Sequence, residues 1–294
     1  MTISEAKHIV WDFEELVTPT EDDIFMYTEA LSFLIKETKD PRYMMDLGGY
    51  YYGKKIFDLA EKYYLLADEY DYEEAAACLG YIYYYGRTGS PDYKKAFECF
   101  SKSAKLGNIQ SYYKVADMYK NGYYVEKDYE KYIGMIEKLW LMLGGDRSNH
   151  YLVPEVGTRL AAIRGKQGRT EDAVRLYQKA RKSLEGRLKR SSFFGNFSIM
   201  KMLIEDYYRY AQPDMDNIGL YDMYYLLKEP SKWEFKYLGK VHNIESVISG
   251  SEINVCFDGK WFRDINEFIM NAAIKDAPLA QIVTNLKDFW RHNI

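Results

Sequence analysis

Along most of the chain, apolar and small residues return at three- and four-residue steps; beyond Glu229-Pro230 the step changes to two. Between Glu73 and Tyr85 the residues Ala75, Ala76, Leu79, Gly80, Ile82 and Tyr83 share one face, which predicts a helix. Gly86 to Pro91 carries turn chemistry, with glycine available for positive φ and proline unable to continue a hydrogen-bond ladder. Asp92 then caps a second helix on which Ala96, Cys99, Phe100 and Ala104 lie on one side, and Leu106-Gly107-Asn108 stops it. The unit is a helical hairpin that cannot bury its apolar side alone, so it has to stack on neighbours.

The same reading predicts the other elements. Thr20 followed by Glu21, Asp22 and Asp23 opens a helix carrying Phe25, Leu31, Phe33 and Leu34, and Asp40-Pro41 starts the next. Residues 42–52 and 56–69 form one hairpin, 72–106 a second and 111–141 a third. Glycines and polar residues from Gly144 to Asn149 interrupt the pattern, which returns from Glu155 through a turn at Gln167-Gly168-Arg169 to a helix carrying Ala173, Leu176, Tyr177 and Ala180. Two more helical runs cover 199–210 and 220–227. After residue 230, stretches 235–238 and 241–248 flank Gly239-Lys240, Ile253, Val255 and Phe257 alternate with polar residues, and Asp258-Gly259 reads as a tight hairpin turn before Trp261 and Phe262. Asp264 with Glu267 predicts a helix through Ala273, and Pro278 a final helix to about Trp290.

One pattern occurs twice at a fixed offset. Gly80, Tyr83, Gly86, Asp92, Tyr93 and Lys95 return 36 residues later as Ala116, Tyr119, Gly122, Asp128, Tyr129 and Lys131, and Leu47, Gly48 and Tyr51 form an earlier copy 32 residues before Leu79, Gly80 and Tyr83. The run Leu79-Gly80-x-x-Tyr83-x-x-Gly86, then Asp92-Tyr93-x-Lys95-Ala96, then Ala104-x-x-Gly107-Asn108, resembles the Sel1-like repeat, a class within the tetratricopeptide superfamily. The later copy departs from it at Tyr132, where the family usually has alanine. The resemblance covers roughly residues 41–141 and implies a mainly α fold: an α-helical solenoid, a right-handed superhelix of helical hairpins, in a bacterial protein. It also implies a non-enzymatic platform for other proteins. Joined to the pattern reading, it gives leading helices over 1–40, three Sel1-like repeats over 41–143, and a tetratricopeptide-like hairpin with capping helices over 150–228. A small α+β module, a β-meander plus two helices, follows over 231–294 and resembles appendages of bacterial repeat proteins that carry no assigned activity.

Composition changes this picture in one respect. A chain with 47% hydrophobic and 29% charged residues is ordinary, but 30 tyrosines are not, and tyrosine serves both as a packing residue in helical repeats and as a contact residue on binding surfaces. The net charge of −4 gives no global attraction to nucleic acid or an anionic membrane. Met1 to His8 lacks the basic and apolar regions of a signal peptide, no apolar run reaches membrane-spanning length, and Cys78, Cys99 and Cys256 form no CxxC; a reducing cytoplasm is the expected location.

Chemistry is sparse. His8, His150, His242 and His292 form no local ligand pair, and hydrolase and nucleotide signatures are absent, so no catalytic residue, metal ligand or cofactor is expected. A cryptic enzyme would have to use His242 or Asp258 with partners the sequence does not reveal. Arg175, Lys179, Arg181, Lys182, Arg187, Lys189 and Arg190 make a basic cluster against Glu185 alone, followed by Phe193, Phe194 and Phe197. It reads as a solvated helix face, a dock for an acidic partner or a nucleic-acid grip. The stronger candidate for contact is the inner, concave wall of the first helices of the hairpins, where Tyr52, Tyr81, Tyr84, Tyr113, Asp117 and Lys120 fall at positions the repeat signature does not need. The sequence therefore points to an interaction scaffold that binds a partner protein or peptide. An immunity-like or regulatory inhibitor with one dedicated partner stays open as the alternative, and nucleic-acid binding through residues 175–190 as a third.

Overall fold

The computed structural model describes residues 1–148, 150–188, 194–213, 215, 218–275, 277–279 and 287–292. It divides into two compact units, Met1–Leu139 and Trp140–Ile294. The first holds α1 (Ile3–Glu14), α2 (Glu21–Thr38), α3 (Pro41–Gly53), α4 (Phe57–Asp68), α5 (Glu73–Tyr84), α6 (Tyr93–Lys105), α7 (Ile109–Asn121) and most of α8 (Tyr129–Met142). From α1 to α7 each helix packs against the next, so the hairpins form a stack. The helix starts follow from capping chemistry. Thr20 Oγ1 accepts a hydrogen bond from Asp23 N at 3.2 Å while Asp23 Oδ2 accepts one from Thr20 N at 2.8 Å, and Asp40 Oδ1 accepts from Arg42 N at 3.0 Å just ahead of Pro41.

The residues that recur at 36 positions close the turn of each hairpin. Asp92 N donates to Tyr83 O at 2.9 Å, and Asp128 N to Tyr119 O at 3.0 Å. The same aspartates cap the following helices, accepting from Lys95 N at 3.0 Å and Lys131 N at 2.8 Å. Those lysines turn back over the tyrosine rings, with Lys95 Nζ 5.0 Å from the Tyr83 centroid and Lys131 Nζ 4.0 Å from that of Tyr119. A cation over an exposed ring contributes about 0.5–1 kcal/mol. Gly86 and Gly122 supply the left-handed backbone, with φ of 59° and 73°.

Helix spacing within the stack is set by rings lying on glycine. A Cβ on Gly48 would meet the Tyr64 ring at 2.6 Å, and a Cβ on Gly80 would meet that of Phe100 at 2.6 Å. Leu47, Leu79, Ile82 and Ala116 complete the buried seam. At the position where the repeat pattern usually has alanine, the Tyr132 ring is only 2% exposed, and Lys120 Nζ stands 5.6 Å above it.

In the second unit, α9 (Val153–Lys166) packs on α10 (Thr170–Leu188) and both touch α11 (Phe194–Tyr207); α12 (Leu220–Leu226) follows. Strands β1 (Ser231–Tyr237), β2 (Lys240–Ser249), β3 (Glu252–Phe257) and β4 (Lys260–Phe262) form an antiparallel meander. Its tight turns place Leu238-Gly239 and Asp258-Gly259 at positive φ. One face buries Trp233, Phe235, Ile244, Val255, Phe257 and Phe262, and α13 (Ile265–Asn271) covers it with Phe268, whose ring meets Phe257 and Phe262 at 5.8 and 5.5 Å. A short ladder of β5 (Ala273–Ile274) with β6 (Ala277–Pro278) comes next.

The final helix expected from Pro278 to about Trp290 is not formed over its last residues. β7 (Lys287–His292) is a strand, pairing antiparallel with β1 and making the sheet order β4-β3-β2-β1-β7. Pro278 lies in β6, and the residues between 280 and 286 fall outside the described set. Among the described residues of the module, α13 is helical, and so is Leu279 directly after Pro278. Strand pairing satisfies the exposed edge of β1, which a helix could not do.

Two measurements test this packing. Gly80→Val is expected to destabilise the chain by about 1–3 kcal/mol in urea unfolding, because the buried Phe100 ring has nowhere to move. Desolvation by its neighbours and then the carboxylates of Glu14 and Asp40 push the surface-exposed Asp46 carboxyl up from 3.8 to about 6. A raised folded value favours the folded chain at pH below the ordinary carboxylate range and loses that contribution as pH rises through about 6. Asp46→Asn should accordingly raise the melting temperature at about pH 7.5 more than at about pH 4; equal shifts at both would exclude an elevated Asp46.

Candidate functional site

The tyrosines of the first unit assemble into a strip that runs across three hairpins. It begins where Tyr52, at the end of α3, meets the Phe57 ring edge-on at 5.2 Å. The Arg87 guanidinium, in the turn after α5, lies 5.5 Å from the Phe57 centroid and 5.2 Å from that of Tyr85. Tyr81 and Tyr85, one helical turn apart, stack at 6.2 Å. Lys114 on α7 then reaches back, its Nζ 5.2, 5.3 and 5.8 Å from the rings of Tyr81, Tyr84 and Tyr85. Tyr84 carries the strip on to Tyr93 and Tyr123 at 5.6 and 5.9 Å, and those two rings stack at 4.4 Å. Cations thus alternate with ring faces, an arrangement that holds both in fixed orientations.

The electrostatics follow from the crowding. The Tyr84 phenol is pushed up to about 12, chiefly by burial and then by Tyr123 and Asp117, so it remains a hydrogen-bond donor at every physiological pH. Tyr85 is about half exposed, and it presents the most open ring of the strip.

Four of the six residues expected on a contact wall, Tyr52, Tyr81, Tyr84 and Asp117, lie on or beside this strip, each half-buried. Lys120 is half-buried too, but it stands over Tyr132. Tyr113 is a correction: with 6% of its surface exposed, it belongs to the packing of the stack and is out of a partner's reach. Phe57, Tyr85, Arg87, Lys114, Tyr93 and Tyr123 were not legible as members. The spacing of Tyr81 and Tyr85 by four was a usable signal for one of them; Lys114 is tied to α5 only by tertiary structure.

Three arginines of the basic cluster in the second unit are paired within its own fold. Arg175 pairs with Asp146 and with Asp172 Oδ1 at 3.1 Å, and Arg187 Nη2 with Glu155 Oε1 at 2.8 Å. Arg181 Nη2 donates to Asp222 Oδ2 at 2.6 Å and its Nε to Glu185 Oε1 at 3.0 Å. Asp222, only 1% exposed, also accepts from Tyr208 Oη at 2.5 Å and from Gly219 N at 2.9 Å. Lys182 is exposed and Lys179 half-buried; Lys189, Arg190 and Phe193 lie outside the described residues, as do the side chains of Phe194 and Phe197. Pairing leaves these three arginines less charge to offer a phosphate backbone.

His242 and Asp258 do come together, with Nδ1 and Oδ2 2.6 Å apart, while Asp258 Oδ1 accepts from Asn243 N at 2.8 Å. The imidazole lies between Phe235 and Phe257 at 5.3 and 5.9 Å, and its Nε2 is buried without a hydrogen-bond partner among the described residues. A general base must reach its substrate, and this nitrogen is sealed in the core. Among the described residues no group of three or more His, Cys, Asp or Glu side chains could hold a metal ion. No described helix is long and apolar enough to cross a membrane.

Removing the acceptor at the centre of the arginine network is the test of its structural role. Asp222→Ala leaves Arg181 without its buried counter-charge and should cost about 3–5 kcal/mol in urea unfolding.

Comparison with known proteins agrees with this geometry. The Sel1 repeat family model matches residues 73–108 and 109–131. A Sel1 repeat protein from Oxalobacter formigenes aligns with a TM-score of 0.50 at 20% identity, covering 69% of this chain and 75% of its own. The c5321 protective antigen of uropathogenic Escherichia coli, which displays an SLR fold, aligns at 0.42 and 16% identity over 77% of this chain and 59% of its own. YrrB, a TPR protein with an unusual peptide-binding site, aligns at 0.40 and 13% identity over 60% and 92%. No curated protein matches the chain. The hairpin stack, its duplicated turn lock, the repeat-family match and the likeness to the Oxalobacter formigenes structure agree that the chain carries Sel1 repeats and has the helical-hairpin fold of that class.

Proposed function

We propose that this chain is a non-enzymatic interaction scaffold that captures a partner protein or peptide along the cation–tyrosine strip of its first unit, on the concave side of the stacked hairpins. Sel1 and tetratricopeptide-like repeats generally mediate protein–protein interactions, and such scaffolds are typically not enzymes. The observation that carries the reading is the continuity of the strip, from Tyr52 through Arg87, Tyr85 and Lys114 to Tyr123, across three hairpins, with Tyr85 about half exposed. Aromatic rings held rigid by cations give large contact area at low entropic cost, and tyrosine and arginine are enriched among residues that dominate binding energy.

A cytoplasmic setting fits the thiols. Cys78, Cys99 and Cys256 are free, and burial pushes Cys78 up to about 11 and Cys99 to about 12, which keeps both protonated and unreactive.

The test is affinity capture from native lysate with the intact chain beside the double variant Tyr85→Ala/Lys114→Ala, after circular dichroism shows equal helicity. A partner held through the strip should be retained by the intact chain and weakened about tenfold or more in the variant. Equal recovery by both proteins would assign the strip to packing and move the contact elsewhere.

A further inference from the structure

A second surface lies at the other end of the first unit. Ile9 and Phe13 on α1, Leu16 just beyond it and Met26 on α2 line a groove of about 200 Å³, together with Asp12 and Asp23. Its floor is fixed, because Phe13 stacks on Tyr27 with ring centroids 4.0 Å apart. Its apolar wall is open, with Leu16 43% and Met26 45% exposed. The volume is below the roughly 300–1,000 Å³ of small-molecule sites, and it suits the side-chain anchors of a peptide.

The charge around it has one sign. Between His8 and Lys36 the sequence holds seven carboxylates and no lysine or arginine. Asp12 faces His8 Nε2 at 3.4 Å, and Asp23 is held in place by its hydrogen bonds to Thr20. The field extends to α3: after desolvation by its neighbours, the Glu14 carboxylate is the next largest influence raising Asp46, and Glu14 also raises the buried Tyr27 phenol.

We propose that this groove docks a cationic amphipathic segment of a partner protein, its apolar side chains entering between α1 and α2 and its lysines or arginines meeting the surrounding carboxylates. The apolar wall supplies the anchor, as in helix-in-groove recognition, and the carboxylates select the partner and speed encounter. A second copy of the chain is a poor occupant, since a two-fold contact would set the same carboxylates against one another. This docking is independent of the tyrosine strip and shares no residue with it.

The probe is a dye-labelled 14-residue helical peptide built only of leucine and lysine on opposite faces, titrated with the intact chain by fluorescence anisotropy, with a leucine–glutamate counterpart as control. The lysine peptide should bind one to one. Leu16→Ser/Met26→Ser and, separately, Glu15→Lys/Asp22→Lys should each weaken it about tenfold, while Tyr85→Ala/Lys114→Ala leaves it unchanged. Because Leu16, Met26, Glu15 and Asp22 are all exposed, equal helicity by circular dichroism is expected for both variants. Undiminished binding to Leu16→Ser/Met26→Ser, or equal binding of the glutamate peptide, would overturn the proposal. So would a dimer of the intact chain, seen by sedimentation, that Leu16→Ser/Met26→Ser dissolves.

Discussion

No hairpin of the first unit can bury its apolar side alone, and the contact that sets the spacing of the two helices inside a hairpin is a ring laid on a glycine. Tyr64 covers Gly48 and Phe100 covers Gly80, each so closely that a single added carbon would overlap the ring. Lys114 reaches three rings on α5 only because α6 and α7 lie close behind it, and Arg87 bridges Phe57 to Tyr85 only because α4 and α5 are held at one distance. Packing therefore fixes the display of charge and aromatic area, as the low tolerance of close-packed interiors for volume changes requires.

What could be read in the sequence was whatever closes within one unit. Asp92 and Asp128 were legible as caps, and Gly86 and Gly122 as turns, because both partners of each contact lie within a dozen residues and return at a fixed offset. Long-range partners were not. Arg175, Arg181 and Arg187 resembled a free basic face, yet their carboxylates come from Asp146, Asp222 and Glu155, between 29 and 41 residues away. Tyr113 shares its composition with contact tyrosines and is distinguished from them only by burial. The strand at 287–292 was misread because Pro278 looked like the first residue of a helix, and nothing in Lys287-Asp288-Phe289-Trp290 alternates strictly enough to correct it. Of the strip, the tyrosines were visible and the cations that order them were not.

The two units spend their charge differently. In the second, arginines and carboxylates cancel at short range, most tightly at Asp222, where a buried anion is satisfied by a guanidinium, a phenol and a backbone amide. Such a centre stabilises by being complete and leaves little field outside. In the first, the seven carboxylates between His8 and Lys36 have no lysine or arginine within that stretch, and Glu14 raises both Asp46 and Tyr27. Uncancelled charge beside an open apolar wall is a feature of recognition surfaces more than of cores.

The turn lock carries one consequence for how such a chain changes over time. Tyr83, Asp92 and Lys95 close one turn, and Tyr119, Asp128 and Lys131 the next, with Tyr83 Oη also donating to Glu61 Oε1 of the preceding hairpin at 2.7 Å. A copied segment of 36 residues brings with it the turn hydrogen bonds and the glycine and ring that pack its own two helices together. The array can therefore lengthen or shorten by whole units through gene duplication and loss while the turns stay intact. Selection is then left to act on the few cations and tyrosines that face outward.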